Sequence, residues 1–146
     1  MTRRILHPSD FSPAADAALK KAIDLTKTGR GGLLVVHVIN PIVPLAGEGY
    51  VSPKTYEDIA ASTRAWAKKR LDQRLVKAKK SGARAKGLLV EGSAYEQIVR
   101  VAKSRHADLI VMGTHGRSGI AKLFLGSVAG RVVAAAPCPV MTVRRT

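Results

Sequence analysis

The run Leu33-Leu-Val-Val-His-Val-Ile39 is apolar at every position but His37 and rich in β-branched residues. A strand with one face in water alternates apolar and polar residues. This run does not alternate, so both its faces must be covered, which points to a parallel sheet sandwiched between helices. The stretch Ala107-Asp-Leu-Ile-Val-Met112 has the same character, and shorter strands are expected at Ile5-Leu6 (ending near Pro8), Ala85–Val90 and Pro139–Val143.

Between these strands the apolar period changes from continuous to helical. Ser12-Pro13 reads as an N-cap followed by proline at the first helical position. Ala15, Ala18, Leu19, Ala22 and Ile23 form a stripe that ends near Gly29, and Asp16, Lys20 and Asp24 lie four apart on the other side, where they can pair. Ser52-Pro53 repeats the cap signal after a Gly/Pro-rich loop, Asn40–Val51. A long helix then runs to about Lys80 with Tyr56, Ile59, Ala60, Thr63, Ala67, Leu71, Leu75 and Ala78 inward, and stops at Ser81-Gly82. Ser93-Ala-Tyr-Glu96 has capping-box spacing, with Tyr95, Ile98, Val99 and Ala102 facing the core behind it. A last helix is expected over 127–136. Five strands alternating with four helices predict one doubly wound α/β domain over residues 1–146, with strand order 3-2-1-4-5 and right-handed crossovers. In that order strands one and four are neighbours where the winding reverses, and ligands bind outside their carboxyl ends.

Two features fall at that reversal. His7-Pro-Ser-Asp10 follows strand one. Gly113-Thr-His-Gly116-Arg-Ser-Gly-Ile-Ala-Lys-Leu-Phe-Leu-Gly126-Ser127-Val128 follows strand four and opens the last helix. Glycines let backbone N–H groups approach an anion closely, and a helix start adds unpaired N–H groups with partial positive charge. A phosphate or nucleotide site is therefore expected there.

Resemblance sharpens this. Ile5-Leu-His-Pro-Ser-Asp10-Phe-Ser, Leu34-Val-Val-His-Val38, Ala107-Asp-Leu-Ile-Val-Met-Gly113 and Pro137-Cys-Pro-Val-Met-Thr-Val143 resemble the universal stress protein family over essentially the whole chain. Gly113, Gly116 and Gly126-Ser127 match the G-x2-G-x9-G-S/T pattern of its ATP-binding branch. The resemblance implies an adenine nucleotide alpha hydrolase-like fold and bound ATP, with Mg2+ or Mn2+ between the phosphates. It implies that Asp10 accepts from the ribose hydroxyls, beside Pro8 and Ser9. Val38 meets the adenine through its backbone, and Met112 and Gly113 line the ribose side. Gly116, Gly126, Ser127 and Val128 hold phosphates, and His115, Arg117 and Lys122 stand near enough in sequence to add to them. It also implies a homodimer built by antiparallel pairing of strand 139–143, and a nucleotide-dependent stress-response or signalling module read by a protein partner that the residues do not identify.

Other chemistries lack their residues. There is no G-x-G-x-x-G after strand one, no G-x-x-x-x-G-K-[ST] and no G-x-S-x-G. His7, His37, His106, His115 and Cys138 show no metal-site spacing, and no nucleophile has a recognisable base. Hydrolysis is expected to be slow or absent. A lone cysteine, no apolar run of membrane-spanning length and no secretory-type apolar segment at the start lead us to expect a cytoplasmic protein with no membrane partner.

The net charge of +15 supports a second reading. Residues 54–86 carry eleven Lys/Arg against Glu57, Asp58 and Asp72, a net +8. Such a helix either presents a solvated outer face or meets nucleic acid or an acidic partner without nucleotide. Charge reversal at Lys68, Lys69 and Arg74 is the test that follows from the sequence.

Overall fold

The computed structural model describes residues 3–41, 52–114 and 125–145. His115, Gly116, Arg117 and Lys122 lie outside the described residues. The elements run β1 (Arg4–Pro8), α1 (Pro13–Thr28), β2 (Gly32–Ile39), α2 (Pro53–Lys80), β3 (Arg84–Glu91), α3 (Ala94–Ser104), β4 (Leu109–Gly113), α4 (Ser127–Ala135) and β5 (Val140–Val143). All five strands are parallel, in the order β3-β2-β1-β4-β5.

The strands feed two cores, one on each face. Ile5, Leu33, Val35, Ala85 and Val111 pack with Ala18, Leu19, Ala22 and Ile23 of α1 and Leu71 and Ala78 of α2. Their immediate neighbours Leu6, Val36, Ile110 and Met112 pack with Ile98, Val101 and Ala102 of α3 and Ala129 and Val132 of α4. Successive residues alternate faces and both faces are buried, which is why the runs contain no polar period. α1 lies close to the sheet because its inner face is mostly alanine. Burial of Leu19 and Ile23 there is worth about 2–3 kcal/mol each.

Three local expectations are corrected. Ser12 and Ser52 cap α1 and α2 through their side chains, accepting from Ala15 N and Thr55 N at 3.2 Å each, but Ser93 makes no such bond. Glu96 instead accepts from the Tyr95 hydroxyl. Asp16 pairs across the layer with Arg74 of α2, not along α1 with Lys20. In α2, Ala67, Leu71 and Ala78 are buried and Leu75 partly so, but Ile59 and Ala60 are exposed. The reason is length. Twenty-eight helical residues extend about 42 Å, whereas the eight residues of β2 or β3 extend about 26 Å. The first turns of α2 overhang the sheet.

Strand β4 begins at Leu109, not at Ala107, because Asp108 closes its lower end. The Asp108 carboxylate accepts from Arg4 N at 2.7 Å while Asp108 N donates to Arg4 O at 2.8 Å.

Candidate nucleotide cleft

β1 and β4 pair only through Ile5–Leu109 and Leu6–Ile110, then diverge. His7 ties the two strands together at the divergence. Its Nδ1–H donates to the Val111 carbonyl at 2.9 Å. A carbonyl can only accept, so the proton is on Nδ1 and the lone pair on Nε2. That Nε2 is fully buried and has no hydrogen-bond partner among the described residues. Burial drives the His7 pKa down to about 4, against the weaker upward pull of the Val111 bond and of Asp16 and Asp10. His7 is thus a neutral, structural histidine under the floor of the cleft.

The chain leaving β1 forms a tightly held turn. Ser9 N donates to Val36 O at 2.8 Å, and His37 Nδ1–H donates back to Ser9 O at 2.7 Å. Ser9 Oγ accepts from Phe11 N, and Asp10 Oδ1 accepts from Ser12 N at 2.9 Å as α1 begins. Phe11 sits at φ 65°, a conformation costly for a residue with a Cβ. Side chains from two elements, β2 and α2, keep it there. Its ring stacks on His37 at 4.3 Å, meets the edge of Trp66 at 5.6 Å and lies under the Arg74 guanidinium at 5.0 Å. Arg74 also donates to Phe11 O and, through Nε and Nη2, to both carboxylate oxygens of Asp16 at 3.1 and 3.2 Å.

Arg74 is therefore not a free cation of a basic helix face. Reversing its charge would disturb the Asp10 turn itself, so the variant set containing it cannot separate a surface partner from the cleft. Nothing in the helical periodicity signals this role, because the contact joins residues 58 or more positions apart. His37, read as a hydrogen-bonded core histidine, is buried and bonded.

The other side of the cleft is the exit of β4. Gly113 approaches α1 so closely that a Cβ there would stand 3.0 Å from Ala14 C and 3.1 Å from Ala14 O. Its glycine is needed for strand-to-helix packing as well as for access to the cleft. Thr114 N donates to Val143 O at 3.1 Å, and Gly126 N donates to Thr114 O at 2.6 Å, which brings the start of α4 back to the end of β4. Gly126 is the N-cap of α4, at φ −60° and ψ 160°, so it occupies no left-handed conformation. Ser127 and Val128, exposed at the mouth, are the first two helical residues, where N–H groups have no acceptor within the helix.

These pieces enclose one cleft of ≈ 180 Å³ at the carboxyl ends of β1, β2 and β4. Pro8, Ser9, Asp10, Val38, Met112, Gly113, Gly126, Ser127 and Val128 all line it. The sequence reading missed Thr114 and the wall supplied by Ala94 and Ile98 at the start of α3. Those apolar residues carry no signal beyond core periodicity. A larger cavity, ≈ 780 Å³, opens at the opposite end of the sheet. It is remote from the strand reversal and from the glycine turn, so size is a poorer guide here than topology.

The cleft offers acceptors at one end (the Asp10 carboxylate) and N–H donors with a serine hydroxyl at the other. It offers no thiolate. Cys138 lies elsewhere, and burial, then the Asp108 charge, raise its pKa against a backbone bond to Ile110. Among the described residues no group of three or more His, Cys, Asp or Glu could hold a metal ion, and no helix is long and apolar enough to cross a membrane.

Residues 1–144 match the universal stress protein family. A universal stress protein of Thermus aquaticus is 35% identical over 153 aligned positions, covering 99% of this chain and 100% of the relative. The universal stress protein UspA from Lactobacillus plantarum superposes with a TM-score of 0.83 at 27% identity, covering 97% of each chain. Two more distant structures share the fold. One is a universal stress protein solved in complex with cAMP (TM-score 0.74, 22% identity, 99% of this chain and 98% of that one). The other is an Arabidopsis thaliana family protein with AMP bound (TM-score 0.71, 22% identity, 99% and 92%).

Proposed function

The chain belongs to the universal stress protein family, and from that premise we propose that it binds an adenine nucleotide, ATP foremost, in the cleft between Asp10 and the start of α4. One observation carries the reading. Asp10, from the turn after β1, and Gly126-Ser127, after β4, are more than a hundred residues apart, yet they line the same cleft where the sheet reverses its winding. Family members solved with cAMP and AMP add support.

In this reading the ribose hydroxyls donate to Asp10, whose carboxylate offers only acceptors. The base lies against Val38 and Met112, between the sheet and the first turn of α3. The phosphates meet the N–H groups of Ser127 and Val128 and the Ser127 hydroxyl, where the helix start favours anions by about 0.3–1 kcal/mol per charge at an exposed site; the N–H of Gly126, expected from the motif to join them, is instead engaged by Thr114 O, and this glycine borders the cleft as the N-cap. The motif assigns Gly116 to the same phosphates; His115 and Arg117, beside it in sequence, would add to them, and Mg2+ or Mn2+ would supply further positive charge there. The described cleft residues include no nucleophile paired with a base, so the chain acts as a nucleotide-dependent stress or signalling module with little or no hydrolysis. It works in the cytoplasm as a dimer joined along β5, an edge strand with half-buried side chains that an isologous partner would cover.

Calorimetry with ATP, ADP and AMP on nucleotide-stripped protein tests the proposal. Binding that weakens on Asp10→Ala and Ser127→Ala is expected. No binding of any of the three at millimolar concentration ends it. Light scattering at tens of micromolar tests the dimer, and a monomer there refutes that part.

A further inference from the structure

We infer that the end of the sheet opposite the nucleotide cleft carries a second, independent site for a phosphate-dense polyanion of the polyphosphate type. The ≈ 780 Å³ cavity there is bordered by Arg4, Lys79, Arg84, Lys86 and Arg105, with His106 beside them, and by no carboxylate. These residues come from four separate segments: the start of β1, the end of α2, the start of β3 and the turn after α3. Lys79, Arg84 and Lys86 belong to the basic stretch 54–86, but nothing in that stretch foretells that Arg4 and Arg105 join them. It forms because a parallel α/β fold returns every helix end and strand start to the same pole.

Strand register arranges the floor. Arg4 pairs with Gly32, and Gly32 pairs with Arg84, in one row across β1, β2 and β3. Residues in one row of a parallel ladder project to the same face, so two arginines flank a glycine roughly 9–10 Å apart. Lys86 lies two residues beyond Arg84 on that face. A Cβ on Gly32 would touch nothing within 4 Å, so packing does not require this glycine and the space above it is open. The aliphatic residues Leu6 and Leu34 continue the floor behind it.

A structural explanation for the cations exists, and magnitude rejects it as sufficient. Basic residues at helix ends offset the macrodipole. The ends of α2 and α3 contribute about −0.5 charge each, about −1 in total, against five fixed positive charges. Among the described residues none of the five forms an ion pair. The nearest carboxylate in sequence, Asp108, is engaged by the backbone N–H of Arg4. Like charges gathered round a concavity repel, and a bound polyanion relieves that repulsion. Guanidinium groups suit phosphate oxygens because they donate in a planar fork. The lining contains no Phe, Tyr or Trp. Single-stranded nucleic acid grooves use such rings as stacking platforms, so a chain of phosphates fits this cavity better than a chain of bases.

The test uses tripolyphosphate as the probe, by calorimetry on the full chain, with wild type, Arg84→Glu/Lys86→Glu and Ser127→Glu, which sets a carboxylate at the phosphate end of the nucleotide cleft, compared. Wild type should bind with an affinity that falls steeply with salt. The double variant should lose at least about tenfold, while Ser127→Glu should bind this probe as wild type does. Both replaced side chains are exposed, and circular dichroism checks the fold. If the edge strand does not tolerate the pair, Arg105→Glu, in the turn after α3, tests the same cavity and should also weaken binding. Wild-type affinity in the correctly folded charge-reversed variants would overturn the inference. So would loss on Ser127→Glu alone, which would place the probe at the phosphate end of the nucleotide cleft. A short single-stranded oligonucleotide of equal charge that binds more tightly than tripolyphosphate, and is lost in the same variants, would replace the polyphosphate assignment with nucleic acid.

Discussion

His7 should make the protein lose stability in mild acid, in a pH window that its burial defines. Its folded-state pKa is lowered from 6.5 to about 4 because the imidazolium cannot be solvated inside the sheet. In the unfolded chain the ring takes a proton near pH 6.5; in the folded chain it does so only near pH 4. The unfolded state therefore binds more protons between those values, and stability falls as pH falls through the window. The stabilisation is complete above about pH 6.5 and is lost progressively toward pH 4. At 1.36 kcal/mol per pKa unit, a shift of this size amounts to about 3 kcal/mol, a large share of the roughly 5–15 kcal/mol that holds an ordinary domain together.

Carboxylates titrate nearby, so the measurement must be a difference. Urea denaturation of wild type and His7→Leu across this range isolates the histidine, because groups remote from His7 cancel. Near pH 7.5 the variant should be less stable by about 1–3 kcal/mol, since the Val111 carbonyl loses its donor. Near pH 4.5 that gap should shrink by more than about 2 kcal/mol and close or invert, because only the wild type still has to keep a proton out. A gap constant within about 0.5 kcal/mol across the window would show that His7 titrates normally, and the account of its burial would be wrong.

Three further outcomes follow from particular contacts. Arg74→Met keeps most of the apolar stem but removes the fork on Asp16 and the bond to Phe11 O; it should cost about 1 kcal/mol and weaken nucleotide binding several-fold, and binding equal to wild type would show that the Asp10 turn stands without it. Gly113→Ala should lower stability by about 1–3 kcal/mol, because the added methyl meets the backbone of Ala14; a melting temperature unchanged by the substitution would contradict that close approach. Arg30 ends the α1 turn at φ 52°, exposed, so Arg30→Gly should stabilise by about 0.5–1 kcal/mol. That gain should raise the melting temperature by a few degrees, and a decrease would mean the arginine makes a contact that offsets its strain.

Much of the cleft was legible before the fold was known because its parts sit at element ends. Asp10 follows a strand and precedes a proline-marked helix, and Gly126-Ser127 precedes another. Capping residues, glycines and changes of period mark such places in the chain itself. The parts that hold Asp10 were not legible. Arg74 looks like one cation among eleven, and Phe11 like an ordinary apolar residue beside a cap. Only their meeting, across β2 and two helices, shows that the turn is clamped. The long helix misled for the opposite reason, since its periodic stripe continues past the edge of the sheet and periodicity does not measure how far the sheet extends.

The linear order of residues determined the helices and strands among the described residues and the burial of the strands on both faces, because backbone preference and hydrophobic period are properties of neighbouring residues. The tertiary structure alone decided that His7 keeps a neutral ring, that Asp16 turns to Arg74, and that five cations from four segments meet round Gly32. Those outcomes depend on solvation and on distances between residues far apart in the chain, and neither exists until the sheet has formed.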